Sequence, residues 1–173
     1  VRLDATVWRP RGDGPWPALL MRQPYGRAIA STVTLAHPSW YAARGYVVVI
    51  QDVRGTGTSE GTFRVLADEA RDGAEATAWA AGLAGVSGTV GGYGFSYQAM
   101  SQLMALGGGA RLSAICPAMG AWDQWRHNAT AGGAFQLARA VGWAMQMAAV
   151  SARHAGDGEA YAQFAAAQRS LPA

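Results

Sequence analysis

The chain has 173 residues, half of them hydrophobic, which suits one domain with a packed core and excludes a disordered polymer. Its net charge of +3 and pI near 9.4 come from arginines scattered from Arg2 to Arg169, so no nucleic-acid partner is expected. Lysine is absent, which excludes a Walker A or Schiff-base lysine within these residues. The lone Cys116 excludes an intrachain disulfide and reads as a small buried hydrophobe.

Residues 2–8 alternate polar and apolar side chains, as a half-exposed strand does, and 10–17 reads as a turn. A second strand is expected at 18–21, then a short helix at 38–44 closed by Gly45. The uninterrupted apolar run 46–51 suits a central strand covered on both faces, and it is too short to span a bilayer. Beyond a glycine-rich loop, 66–83 is predicted helical, with Asp68, Glu69, Asp72 and Glu75 near its start as the helix dipole favours.

A strand at 90–94, a helix at 97–106 and a strand at 112–117 complete an alternating pattern that predicts a mostly parallel α/β sheet. From Ala121 the chain turns rich in Trp, Ala, Gly and Met without strand signals. The expected division is therefore 1–120 as an α/β core and 121–173 as the start of a helical segment. No leader or membrane segment is visible, although the chain begins at Val1 rather than methionine. A cytoplasmic location is the expectation, with the true start left open, and no membrane partner is expected.

The segment Gly94-Phe95-Ser96-Tyr97-Gln98-Ala99 sets a serine between a predicted strand and a predicted helix. A nucleophile elbow needs this arrangement, because a sharp turn holds the serine strained and leaves room only for small neighbours. Ser96 is the candidate nucleophile, and the Tyr97 amide at the helix start is a candidate oxyanion donor. Gln98 stands where the Gly-x-Ser-x-Gly pattern has its last glycine. The competing reading, a phosphate-binding turn, breaks at Tyr97, where a dinucleotide fingerprint needs its third glycine.

The loop 51–61 is read as scaffold beside the site, its shape held by an Asp52–Arg54 or Glu60–Arg54 ion pair. Together, Asp52-x-Arg54-Gly55-x-Gly57-x-Ser59-Glu60-Gly61 and Gly94-x-Ser96-Tyr97 resemble the Xaa-Pro dipeptidyl-peptidase S15 and cocaine-esterase-like (CocE/NonD) hydrolase family. Arg22-Gln23-Pro24-Tyr25 matches that family's Arg-x-Pro-Tyr element. The resemblance extends through Ile115-x-Pro117 to Gly132-Gly133-Ala134-Phe135 and Gly142-Trp143, the start of the family's helical cap.

The resemblance implies an α/β-hydrolase fold running into a helical cap. It also implies a serine hydrolase acting on a small-molecule ester or peptide, with the Tyr25 hydroxyl as the second oxyanion donor and Trp143 lining the acyl pocket. No cofactor and no metal are implied. Ala99 replaces the family's usual glycine, and Gln98 and Ala99 supply none of the carboxylates with which related α-amino-acid ester hydrolases grip a substrate amine.

The family order places the triad Asp and His after Ser96. Asp123 is a displaced candidate for the acid, while His127 and His154 read as structural residues and His37 precedes the nucleophile. These residues are expected to lack the triad Asp and His, which would leave the isolated segment poorly active. A non-catalytic α/β-hydrolase-fold binding domain is the alternative.

Overall fold

The computed structural model describes residues 1–29 and 35–170. The chain divides into two compact units, Val1–Gly120 and Ala121–Ala173.

The first unit is a five-stranded sheet with strand order β1-β3-β2-β4-β5. Its strands are β1 (Ala5–Trp8), β2 (Trp16–Gln23), β3 (Val47–Asp52), β4 (Val86–Phe95) and β5 (Ala114–Ala118). β1 runs antiparallel to β3, and the remaining pairs are parallel. Every residue of β3 is buried. Its side chains alternate between two clusters: Val47 and Val49 join Ala18, Leu20 and Val90 on one face, while Val48 and Ile50 join Met21 and Tyr93 on the other. Burying each of these branched side chains contributes about 1.5–3 kcal/mol.

Helix α2 (Glu69–Ala81) covers the first face through Ala76 and Ala80. Tyr41 of α1 (Pro38–Ala42) packs on the second. Helix α3 (Tyr97–Gly107) lies against α2, where a Cβ on Gly73 would come 2.6 Å from the Ala105 Cβ. That approach is open only to glycine.

Several sequence-based boundaries shift. The second helix begins at Glu69 rather than Leu66, because Leu66 adopts φ 60° and cannot continue a right-handed turn. β4 starts four residues earlier than its apolar run, at Val86. Cys116 on β5 is exposed, where the sequence suggested a buried position.

The second unit opens with a π-helical turn (Trp125–Ala129) and contains a small hairpin that the sequence reading lacks: β6 (Thr130–Ala131) paired with β7 (Ala134–Phe135). Gly132 and Gly133 join the two strands at φ 57° and 87°, the positive angles that a two-residue hairpin turn requires. Helix α4 (Leu137–Ala155) ends at Gly156 in the left-handed conformation. Asp157 caps α5 (Gly158–Arg169) by accepting the Ala160 amide at 2.9 Å.

Candidate active site

Ser96 is the junction between β4 and α3, with φ 60° and ψ −117°. A positive φ on a non-glycine residue costs about 1–3 kcal/mol and persists only where the surroundings impose it. Here they do. Its amide donates to the Ala118 carbonyl on β5 at 2.9 Å, while its carbonyl accepts from Ala99 and Met100 in the first turn of α3. Small residues make the turn possible: a Cβ on Gly94, itself at φ 146°, would fall 2.3 Å from the Gln98 Cβ, and one on Gly120 would fall 2.9 Å from the Ala99 Cβ.

Tyr97 is the first residue of α3, at the end where helix amides point outward. Its side chain turns inward and is 1% exposed. The hydroxyl donates to Glu69 Oε1 at 3.0 Å and accepts the Leu66 amide at 3.3 Å. Glu69 Oε2 in turn takes Arg22 Nη1 at 2.5 Å, and Arg22 Nε donates to Gln51 Oε1 at 2.8 Å. Burial pushes the Glu69 carboxyl above its ordinary value, and the Arg22 charge offsets only part of that. Burial, followed by the adjacent Glu69 charge, also raises the Tyr97 phenol far above its usual range. A buried network thus ties Arg22, from the Arg-x-Pro-Tyr element, to the tyrosine that follows the candidate nucleophile.

Tyr25 is half-buried and follows β2 by two residues. β2 and β4 are adjacent and parallel, so Tyr25 and Ser96 both emerge from carboxyl ends of neighbouring strands, where ligands collect on α/β sheets. Neither expected pairing of Arg54 forms. Its guanidinium reaches Asp72 instead, Nη2 to Oδ1 at 2.7 Å and Nε to Oδ2 at 2.9 Å. Asp52 binds Arg27, and Glu60 accepts the Arg2 amide at 3.1 Å. The reason is reach: long arginine side chains find carboxylates on other elements in better geometry than the short loop offers. Burial works against the Asp72 carboxylate, but the Arg54 hydrogen bonds and charge outweigh it and hold its pKa below 3.8.

Trp143 is half-buried on α4 in the second unit. Asp123 is spent locally, its Oδ1 accepting the Trp125 and Arg126 amides, each at 2.9 Å. The Asp123 amide in turn donates to His127 Nδ1 at 3.3 Å. His37 caps α1 through the Ser39 amide. Among the described residues no carboxylate or imidazole hydrogen-bonds to Ser96 Oγ. None of their His, Cys, Asp and Glu side chains cluster as three metal ligands, and no helix among them is long and apolar enough to cross a membrane.

Two polar residues that the motif reading passed over are built into the elbow. Gln98 Oε1 accepts the Phe95 amide at 2.9 Å, and its Nε2 donates to Gln23 Oε1 at 3.1 Å. Both glutamines are almost fully buried, Gln23 at 0% and Gln98 at 2% exposure. The available signal was a polar side chain at a strand end and another in a helix's first turn, both expected to be buried and hence bonded.

A central parallel sheet with a strained serine at a strand-to-helix turn defines an α/β-hydrolase-fold protein. The sequence model for the X-Pro dipeptidyl-peptidase (S15 family) matches residues 1–173, and the chain belongs to that family. It is 36% identical over 147 residues to the cocaine esterase of Rhodococcus sp. (strain MB1 Bresler), an alignment covering 83% of this chain and 26% of that protein. A CocE/NonD family hydrolase from Staphylococcus aureus shares the fold with a TM-score of 0.75 at 24% identity, over 98% of this chain and 34% of its own. An α-amino acid ester hydrolase matches with a TM-score of 0.66 at 27% identity, over 79% of this chain and 26% of its own. The chain thus spans about a quarter to a third of the length of these relatives.

Proposed function

We propose that this chain carries the nucleophile and oxyanion donors of a serine hydrolase that cleaves a carboxylic ester or amide of a small molecule or peptide. The observation that carries this reading is the backbone of Ser96, held at φ 60° and ψ −117° between β4 and α3. Structure retains such strain where a side chain must be presented for reaction. The 36% identity to a cocaine esterase supports an ester as one substrate class.

In the proposed reaction Ser96 Oγ attacks the substrate carbonyl carbon and loses its proton to a histidine base. The Tyr25 hydroxyl and Tyr97 amide stabilise the resulting oxyanion, each worth roughly 3–4 kcal/mol in the transition state. The tetrahedral intermediate collapses as the leaving alcohol or amine takes that proton, and water then hydrolyses the acyl-serine. The family order places the acid and histidine after Ser96. Since only one strand of the five-stranded sheet follows the elbow among the described residues, we infer that both lie outside residues 1–173. Ser96 without a base retains little nucleophilicity. Residues 1–173 alone are therefore expected to turn over poorly. Trp143 is assigned a substrate-contacting role on its motif match.

A fluorophosphonate probe applied to the complete protein tests the assignment. Covalent labelling that disappears in Ser96→Ala is expected, and labelling that persists there would overturn it. A non-catalytic binding fold predicts no labelling of the unaltered protein.

A further inference from the structure

The two buried glutamines form a directed chain. Phe95 N–H is a donor, so Gln98 must present Oε1 to it, at 2.9 Å. That leaves Nε2 of Gln98 to donate to Gln23 Oε1 at 3.1 Å, and Nε2 of Gln23 to donate to the Gly26 carbonyl at 3.0 Å. Backbone groups fix both ends, so neither amide can flip without setting acceptor against acceptor or donor against donor. With both side chains excluded from water, a broken link is not recovered by solvation.

The far end of this chain lies immediately after Tyr25. The Gly26 carbonyl and the Arg27 N–H belong to one peptide plane, and the Arg27 N–H donates to Asp52 Oδ1 at 2.6 Å. Gln23 therefore grips this plane by its oxygen and Asp52 by its nitrogen. Gly26 itself sits at φ 92°, a conformation that side chains rarely adopt. At the other end, Gln98 lies two residues past Ser96 and spans the elbow to reach Phe95.

The geometry points to Gln98 as a positioning residue: through Gln23 and the Gly26–Arg27 peptide it sets the Tyr25 hydroxyl in register with the Ser96 elbow. This rests on the reading of Tyr25 as an oxyanion donor. Misplacement of such a donor by about 1 Å costs on the order of 100-fold in rate. The same connection gives Gln98, the residue that departs from Gly-x-Ser-x-Gly, a use that glycine could not fill.

Gln98→Glu in the complete enzyme isolates the relay. The carboxylate still accepts the Phe95 amide, but it cannot donate to Gln23. Gln23 must then turn its own Nε2 toward Glu and its oxygen toward the Gly26 carbonyl, which breaks that link. Gln23→Met is the second variant, because it removes the middle link without adding a buried charge and leaves the Phe95–Gln98 bond intact. Each is expected to lower kcat about 10- to 100-fold with KM within about twofold. In a Tyr25→Phe background the same substitutions should cost less than about threefold, because the hydroxyl they position is gone. An equal loss of kcat in both backgrounds, or no loss from Gln23→Met, overturns the positioning role while leaving Tyr25 as a donor. A Tyr25→Phe variant with unchanged kcat overturns the oxyanion reading and the relay together.

Discussion

Asp52 holds Arg27 at two points, accepting its amide on Oδ1 at 2.6 Å and its guanidinium on Oδ2 at 2.5 Å. The carboxylate is 1% exposed and the guanidinium side 26%. Asp52→Asn keeps an acceptor for the amide and loses the charge, so it should destabilise the protein by about 1.5 kcal/mol. Asp52→Ala also releases the turn after Tyr25 and should cost about 3 kcal/mol. Urea unfolding of the complete protein measures both, and equal effects of the two variants would show that the amide bond contributes nothing.

The Arg22–Glu69 pair, 3% and 4% exposed, is expected to respond asymmetrically to mutation. Glu69→Met strands a buried guanidinium and should cost about 3–5 kcal/mol, whereas the double substitution Arg22→Met with Glu69→Met should cost less than either of these single changes. A double-mutant cycle read by thermal melting decides the matter; simple additivity would contradict the pairing.

Acid stability carries a defined sign at Asp72. Its folded pKa lies below 3.8, so the Arg54 pair stabilises the protein above that value, and the contribution is lost as pH falls through the lower folded pKa. Asp72→Asn should therefore lower stability at pH 6, and the difference from the parent should shrink as pH falls through the folded pKa. A constant difference across this range would rule out ionisation of Asp72 as the source.

Gly94→Ala should impair the elbow directly. A Cβ there meets the Gln98 Cβ at 2.3 Å, and φ is 146°. The turn must shift, and Ser96 with it, so kcat should fall by about 100-fold or more. Ser96 labelling rates in a folded Gly94→Ala variant provide the check; a rate within twofold of the parent would show that the elbow tolerates the methyl group.

The sheet was legible because its signals are local. β3 is a continuous apolar run that ends up wholly buried, and the serine segment carries glycine and alanine where the turn has no space. What escaped the sequence depends on pairs far apart in the chain. Arg54 lies two residues from Asp52 yet finds Asp72, and Asp52 finds Arg27. A flexible guanidinium several bonds long is not bound to sequence neighbours, so loop composition does not encode its partner. Gln98 looked like a flaw in a glycine pattern, although its partner Gln23 is 75 residues away.

The strained serine sets presentation of its hydroxyl against stability. Glycine adopts φ 60° without a Cβ clash, so Ser96→Gly is expected to relieve backbone strain while removing the proposed nucleophile. Chemistry and stability pull in opposite directions at this one residue. On the reading of Ser96 as the nucleophile, the strained backbone is a cost the fold carries for presenting the hydroxyl.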